Sequence, residues 1–239
     1  MYGYPMKTGV IVLGMHSRIP AEVSFAEQCA EYLRSRGRKN VRVAYHDRDS
    51  CEVLESMFVS EGIDTFCILP ITVAEGNQTV WNMPRRMGLP DNAGSWRMVD
   101  EHDIATRFST ALGRDPRMAE AILEMLGSPS DDSGILLLAH GSELSMSAKT
   151  AEYYAEALRL NGWKAECGFA RFGRSSAEAA QSLRGQGCPK VRILPLSITV
   201  DGEYMQNAIE SAGEAELLGP VSRLPVFLEI LDSKVPEDW

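Results

Sequence analysis

Short apolar runs recur along the chain, each followed by a stretch whose apolar residues return with helical spacing. Residues 10–13 and 135–138 are unbroken apolar runs that end in small or polar residues, as strands buried on both faces do. Phe25, Cys29 and Leu33 fall at i, i+4 and i+8, and so do Thr150, Tyr154 and Leu158, giving each segment one inward helical face. Gly37 and Gly162 are placed to stop these helices. Second strands over 41–45 and about 165–169, helices around 52–60 and 177–183, and third strands over 65–69 and 191–194 complete two passes of the same order. Alternating strands and helices predict right-handed crossovers and parallel sheets covered on both faces. Ligands then bind at the loops beyond the carboxyl ends of the strands.

The two passes are copies in sequence as well as in pattern. Gly9-Val-Ile-Val-Leu-Gly-Met-His-Ser17 aligns with Gly134-Ile-Leu-Leu-Leu-Ala-His-Gly-Ser142. At the same offset Ala30-Glu-Tyr-Leu33 meets Ala155-Glu-Ala-Leu158, and Ile68-Leu-Pro70 meets Ile193-Leu-Pro195. A shift of one residue aligns Glu75-Gly76 with Asp201-Gly202, and a weaker echo sets Leu112-Gly113 and Arg117 beside Leu218-Gly219 and Arg223. Extra residues, roughly 91–106, precede this echo in the first half. The turn-rich Gly127-Ser-Pro-Ser-Asp-Asp132 separates the halves, so two domains are expected, 1–127 and 133–239.

Bulk properties narrow the function. A net charge of −9 leaves no basic field for a phosphate backbone, so nucleic acid is not expected as a partner. The apolar run at 9–14 is too short to span a bilayer, and the residues before it lack a cleavage-type flank. A cytoplasmic protein with no membrane partner is therefore expected. Cys29, Cys51, Cys67, Cys167 and Cys188 show no Cys-x-x-Cys spacing and read as small core residues rather than as a metal or redox set. No phosphate-binding Gly-x-x-x-x-Gly-Lys-Ser/Thr loop occurs, so no nucleotide is expected.

Candidate chemistry gathers at the predicted strand ends. Three of the four histidines lie there, His16, His46 and His140, while His102 falls in the first-half insertion. In Ala139-His140-Gly141-Ser142, glycine permits close backbone approach to a ligand while the imidazole faces the cleft. The plain alternative for any histidine is a hydrogen-bonded structural role. After the third strands, Glu75-Gly76-Asn77-Gln78 and Asp201-Gly202-Glu203-Tyr204 set an acid before glycine and hydrogen-bonding side chains after it. Such loops suit a polar ligand or a transferred proton, or else a turn whose acids cap the next helix.

Taken together, the His-Gly-Ser strand end, the duplication and the Leu-Pro-to-Gly spacing resemble the class II chelatases, which insert cobalt, nickel or ferrous iron into sirohydrochlorin. The resemblance covers nearly the whole chain and implies the long form of that family. The fold expected is α/β, two tandem chelatase-like (flavodoxin-like) parallel-sheet domains related by pseudo-twofold symmetry. Against the family's Gly-His-Gly-Ser-Arg motif, Met15 takes the first-half histidine position and His16 stands one residue later. The family's second histidine, two residues after the later glycine, is Gln78 in one half and Tyr204 in the other. The acid after the second strand is Asp47 in the first half and Arg171 in the second. Only His140 carries over directly.

The resemblance implies an ATP-independent chelatase whose substrates are a tetrapyrrole and a divalent metal ion. His140, His16 and His46 are the expected metal-facing imidazoles, with His140, His16 and Glu75 as catalytic groups. Asp47, Asp201 and Glu203 are further acidic relays. Ser17, Arg18, Gly141, Ser142, Gly76, Gln78, Gly202 and Tyr204 are the expected substrate contacts. A macrocycle taking up a metal loses two pyrrole protons, which calls for neutral imidazole and nearby carboxylates. A many-carboxylate substrate calls for cations, for which Arg18, Arg85, Arg86, Arg171 and Arg174 are candidates. The competing class is a non-catalytic tetrapyrrole- or metal-binding protein of the same fold. A periplasmic-type solute receptor shares two α/β lobes, but no export signal is read. A fused chain needs no partner copy to form one cleft, so a monomer suffices, with homo-oligomers left open. Imidazole and carboxylate ligands accommodate cobalt, nickel, iron and zinc alike.

Overall fold

The computed structural model describes residues 7–89, 96–99, 104–237 and 239, with residues 96–99 described by backbone only. His102 and part of the 91–106 insertion lie outside the described residues. The first run of elements is β1 (Thr8–Gly14), α1 (Pro20–Ser35), β2 (Val41–Tyr45), α2 (Ser50–Glu61) and β3 (Thr65–Pro70). A π-helical turn (Gln78–Asn82), α3 (Met83–Arg86), β4 (Trp96–Val99), β5 (Ile104–Phe108) and α4 (Pro116–Leu126) follow. The second run is β6 (Ser133–Ala139), α5 (Ser145–Leu160), β7 (Lys164–Phe169), α6 (Ser176–Gly185), β8 (Lys190–Pro195), α7 (Glu203–Ser211), β9 (Glu216–Leu217) and α8 (Val226–Asp232).

Two α/β sheets result, ordered β2-β1-β3-β5-β4 and β7-β6-β8-β9. All strand pairs are parallel except β4 with β5, an antiparallel edge built from the first-half insertion. Both sheets share the inner order second-first-third-fourth of doubly wound proteins, which brings the carboxyl ends of their first and second strands side by side. The apolar runs arise because β1, β3 and β6 are buried along nearly their whole length, with helices packed over them. The faces predicted for α1 and α5 are buried as expected, and Gly37 and Gly162 after them have φ of 88° and 86°. One echo was misplaced: the ladder pairs Ser109, not Leu112, at the position where Leu218 pairs in the second sheet, because Ile68 and Ile193 are equivalent in the two ladders.

The chain gathers into two compact units. Unit 1 holds residues through Thr72, Asn77–Ala111 and Leu228–Trp239, and unit 2 holds Val73–Gly76 and Leu112–Phe227. Thus α4, next in sequence after the first sheet, belongs to unit 2, and most of α8 belongs to unit 1. Within unit 2, the Tyr154 hydroxyl on α5 donates to the Gly113 carbonyl at 2.7 Å, fixing the approach to α4. Within unit 1, Arg38 donates to Asp232 Oδ1 at 2.7 Å and to the Pro236 carbonyl at 2.8 Å, fastening the end of α8 beside α1.

A polar staple on β7 yields a prediction about acid stability. Glu166 accepts from Ser182 at 2.9 Å, Gln186 at 2.6 Å and Arg174 at 2.7 Å, tying β7 to α6. Burial pushes its carboxyl up, but these three donors outweigh that and hold it below the usual 4.5. A depressed native pKa contributes stability above the unfolded value that is lost as pH falls through the native one. Glu166→Gln should therefore cost on the order of 1 kcal/mol at pH 7, a gap that closes as pH falls below the usual carboxylate range. Urea midpoints of both proteins across pH 3–7 test this; a gap unchanged at pH 3 would show that the charge plays no part.

Candidate functional site

In unit 2 the end of β6 runs directly into Ala139-His140-Gly141-Ser142. The N–H groups of Ala170 and Arg171, just beyond β7, donate to the carbonyls of Ala139 and His140 at 2.9 Å each, zipping the two strand-end loops together. Gly141 has a φ of 85°, and a Cβ placed there would lie 1.8 Å from the Arg171 carbonyl oxygen. This close approach is what the glycine permits, and it leaves His140 exposed at the strand end. The His140 ring has Nδ1 3.2 Å from the Gly141 carbonyl and meets the Tyr204 ring edge-on, centroids 6.0 Å apart.

Other expected contacts of unit 2 sit around this loop. The Ser142 hydroxyl accepts from the Leu144 N–H at 3.2 Å, just ahead of α5. Gly76 packs against Ser142, since a Cβ on it would stand 3.0 Å from that hydroxyl oxygen, and Glu75 is half-buried beside it in sequence. Gly202 is the N-cap of α7, with open space where a Cβ would stand, and α7 carries no side-chain cap. The alternative in which Asp201 caps that helix is therefore not realised; its N–H instead donates to the Thr199 hydroxyl oxygen at 3.1 Å. Asp201, Glu203 and Tyr204 are exposed.

The corresponding loops of unit 1 have a different chemistry. Met15 turns inward and packs on the core of Ile11, Leu13 and Phe66. His16, aligned with Gly141, does not share its positive φ; its N–H donates to Glu22 on α1 at 2.9 Å. The Ser17 N–H donates to Asp47 at 2.9 Å, and His16 Nδ1 lies 4.0 Å from the other Asp47 oxygen. Burial pushes the Glu22 carboxyl up, the His16 N–H and imidazole pull it back in part, and Asp47 adds to the rise. Burial also pushes Asp47 up, but the N–H and hydroxyl of Ser17, with His16, bring it below its usual value. His46 is half-buried, with Nδ1 buried and lacking a hydrogen-bond partner among the described residues. Its pKa is lowered, first by burial and then by the Arg86 charge, which keeps the imidazole neutral near pH 7. Arg18 is exposed, and Gln78 opens the π-helical turn, its side-chain oxygen accepting from Asn82 at 3.2 Å.

Unit 2 therefore brings together His140, Gly141, Ser142, Gly76 and Tyr204, whereas unit 1 carries His16, Ser17, His46 and Asp47. Among the described residues no three His, Cys, Asp or Glu side chains are grouped so as to hold a metal ion. The cysteines are free thiols, buried except for the half-buried Cys51, and burial pushes Cys29, Cys67 and Cys167 up to about 12. No helix among the described residues is long and apolar enough to cross a membrane. Sequence reasoning missed Glu22, whose only signal was an acid in the first turn of the helix following His16. It also missed Phe172, an exposed aromatic between Arg171 and Gly173 at a strand end.

Tandem doubly wound sheets with His-Gly-Ser at the end of a first strand define the class II chelatase type. The model of the CbiX family matches residues 9–128, and the chain belongs to that family. The sirohydrochlorin cobaltochelatase of Methanopyrus kandleri is 26% identical over 134 residues, which cover 49% of this chain and 93% of that protein. Several solved structures share the fold. SirB from Bacillus subtilis with Fe3+ superposes with a TM-score of 0.76 at 13% identity, covering 96% of this chain and 94% of that one. A multi-domain protein of Deinococcus radiodurans, described as structurally similar to chelatases with two additional novel domains, gives 0.71 at 21% identity. The match takes in 98% of this chain but 55% of that one, so this chain spans little more than half its length.

Proposed function

We propose that the chain is an ATP-independent chelatase that inserts a divalent metal ion, cobalt, nickel or ferrous iron, into sirohydrochlorin or a related tetrapyrrole. The observation that carries the reading is His140, exposed at the end of β6 on a loop that Gly141 holds against Arg171. Membership of the CbiX family supports it. The metal is a substrate that must leave into the macrocycle, so an open imidazole suits the task better than a closed cage of ligands. In this reading His140 presents the metal or receives a pyrrole proton. His46, held neutral by burial and Arg86, offers a second unprotonated imidazole. His16, with its N–H on Glu22 and its ring 4.0 Å from Asp47, supplies a neighbouring acid–base set for the second proton, with Glu75 beside Gly76 as a further acceptor. The chain is read as a tandem duplication, 1–127 and 133–239, a reading supported by the shared inner strand order of the two sheets.

A second reading is favoured by one observation. Met15 packs into the core, and Gln78 and Tyr204 occupy the other histidine positions, so the family's pair is missing from both halves. This is what a carrier of the metallated macrocycle would tolerate. Purified chain with sirohydrochlorin and Co(II), Ni(II) or Fe(II) separates the two. A chelatase consumes many equivalents of free macrocycle faster than the spontaneous reaction. A carrier shifts the spectrum of one equivalent and turns nothing over. Rates equal to the spontaneous one with all three metals would end the enzymatic reading.

A further inference from the structure

The loop after β7 reads Ala170-Arg171-Phe172-Gly173-Arg174, and its two arginines are used differently. Arg174 is neutralised, donating to Glu166 at 2.7 Å and to the Glu178 carbonyl at 3.1 Å. Arg171 has no carboxylate partner among the described residues. Its guanidinium carbon stands 4.7 Å from the centroid of the Phe172 ring and 4.7 Å from that of the Tyr204 ring. Both rings are exposed, by 47% and 51%. Aromatic contacts hold a guanidinium in place through its faces and leave its N–H edge for an acceptor in the same plane.

The backbone around this cation is unusually constrained. Phe172 has a φ of 51°, in the left-handed region that side chains disfavour, and Asn40 is the only other non-glycine there among the described residues. The Arg171 N–H is bonded to the His140 carbonyl, and its own carbonyl fills the space a Cβ of Gly141 would need. Tyr204 joins the two functional groups, its ring perpendicular to that of His140 and its face against the Arg171 guanidinium. The equivalent loop of unit 1 carries the opposite charge. His46 donates to the Gly14 carbonyl as Ala170 does to that of Ala139, so Asp47 is the counterpart of Arg171, and Asp47 is engaged by Ser17.

We infer that Arg171, clamped by Phe172 and Tyr204, is the anchor for a peripheral carboxylate of the tetrapyrrole and orients the macrocycle beside His140. The inference rests on the chelatase reading and deepens it: the two strand-end loops are not interchangeable, and only unit 2 offers an anion a cation at this position. A planar carboxylate accepts two parallel N–H bonds from the fork, and the flanking rings present apolar faces to the macrocycle.

The test is equilibrium binding of metal-free sirohydrochlorin to the full chain, followed by absorbance, with wild type, Arg171→Gln and Arg171→Lys. Arg171→Gln should weaken binding roughly ten- to a hundredfold, and Arg171→Lys, which keeps the charge without the fork, should fall between. With the macrocycle's carboxylates converted to methyl esters, wild type and Arg171→Gln should bind alike. The side chain is exposed, so both variants should melt with wild type, which removes misfolding as an explanation. Wild-type binding matched by Arg171→Gln would overturn the anchor and leave the chelatase reading standing. No binding by wild type at all would overturn the chelatase reading, and the anchor with it.

Discussion

Gly141→Ala should destabilise the protein by about 2–5 kcal/mol and disable the strand-end loops together. Two costs combine. A side chain at a φ of 85° disfavours the backbone itself by roughly 1–2 kcal/mol. The new methyl would also meet the Arg171 carbonyl oxygen at 1.8 Å and its carbon at 2.9 Å, and these are backbone atoms that cannot rotate away. Relief requires parting the loops after β6 and β7, which breaks the Arg171-to-His140 hydrogen bond and moves both residues. Gly187→Ala is the control: its φ is also 85°, but the nearest atom to its Cβ is the mobile end of Lys164 at 4.0 Å. It should cost only the backbone share, about 1–2 kcal/mol. Urea midpoints at constant slope read the difference. Equal losses for the two variants would mean that the loops do not touch as described.

The same glycine shows how much of the site could be read from the residues. That a strand ends in Ala-His-Gly-Ser pointed to a tight loop with an exposed imidazole. Aligning His16 with Gly141 could equally have signalled that the first-half loop takes another path, since a histidine does not readily accept that φ. What sequence could not show is where the displaced groups go. Met15 turns into the core, and the His16 N–H finds Glu22 across a helix start, a partner chosen by folding rather than by spacing. The strands were legible because burial on both faces removes polar residues from them, and 41–45 coincides with β2 in full. The assignment of α8 to unit 1 was not legible. An amphipathic pattern states that a helix buries one face but not against which sheet, and the Arg38–Asp232 contact joins residues far apart in sequence. Tyr204 stands at a missing-histidine position and reads from sequence as a substrate contact, but nothing in its spacing shows that its ring lies at His140.

His140→Ala should lower the rate of metal insertion roughly 10²- to 10⁴-fold, the range over which one positioned acid–base group contributes. The same loss is expected with Co(II), Ni(II) and Fe(II), because imidazole serves all three and the pyrrole protons must leave whichever metal enters. Stability should change by no more than about 0.5 kcal/mol, since the ring is exposed and its contacts are the Gly141 carbonyl and the Tyr204 ring. The fold and the rate are thus separable at this position, as they are not at Gly141. His16→Ala and His46→Ala extend the comparison to unit 1, where the imidazoles neighbour Asp47 and Arg86 rather than Arg171. If the reacting imidazole is His140, neither of these should reach its loss. The decisive measurement is the initial rate of free-macrocycle consumption above the spontaneous background, with melting recorded in parallel. A His140→Ala protein that folds normally and metallates at the wild-type rate would remove the imidazole from the chemistry and return the strand-end loop of unit 2 to a binding role.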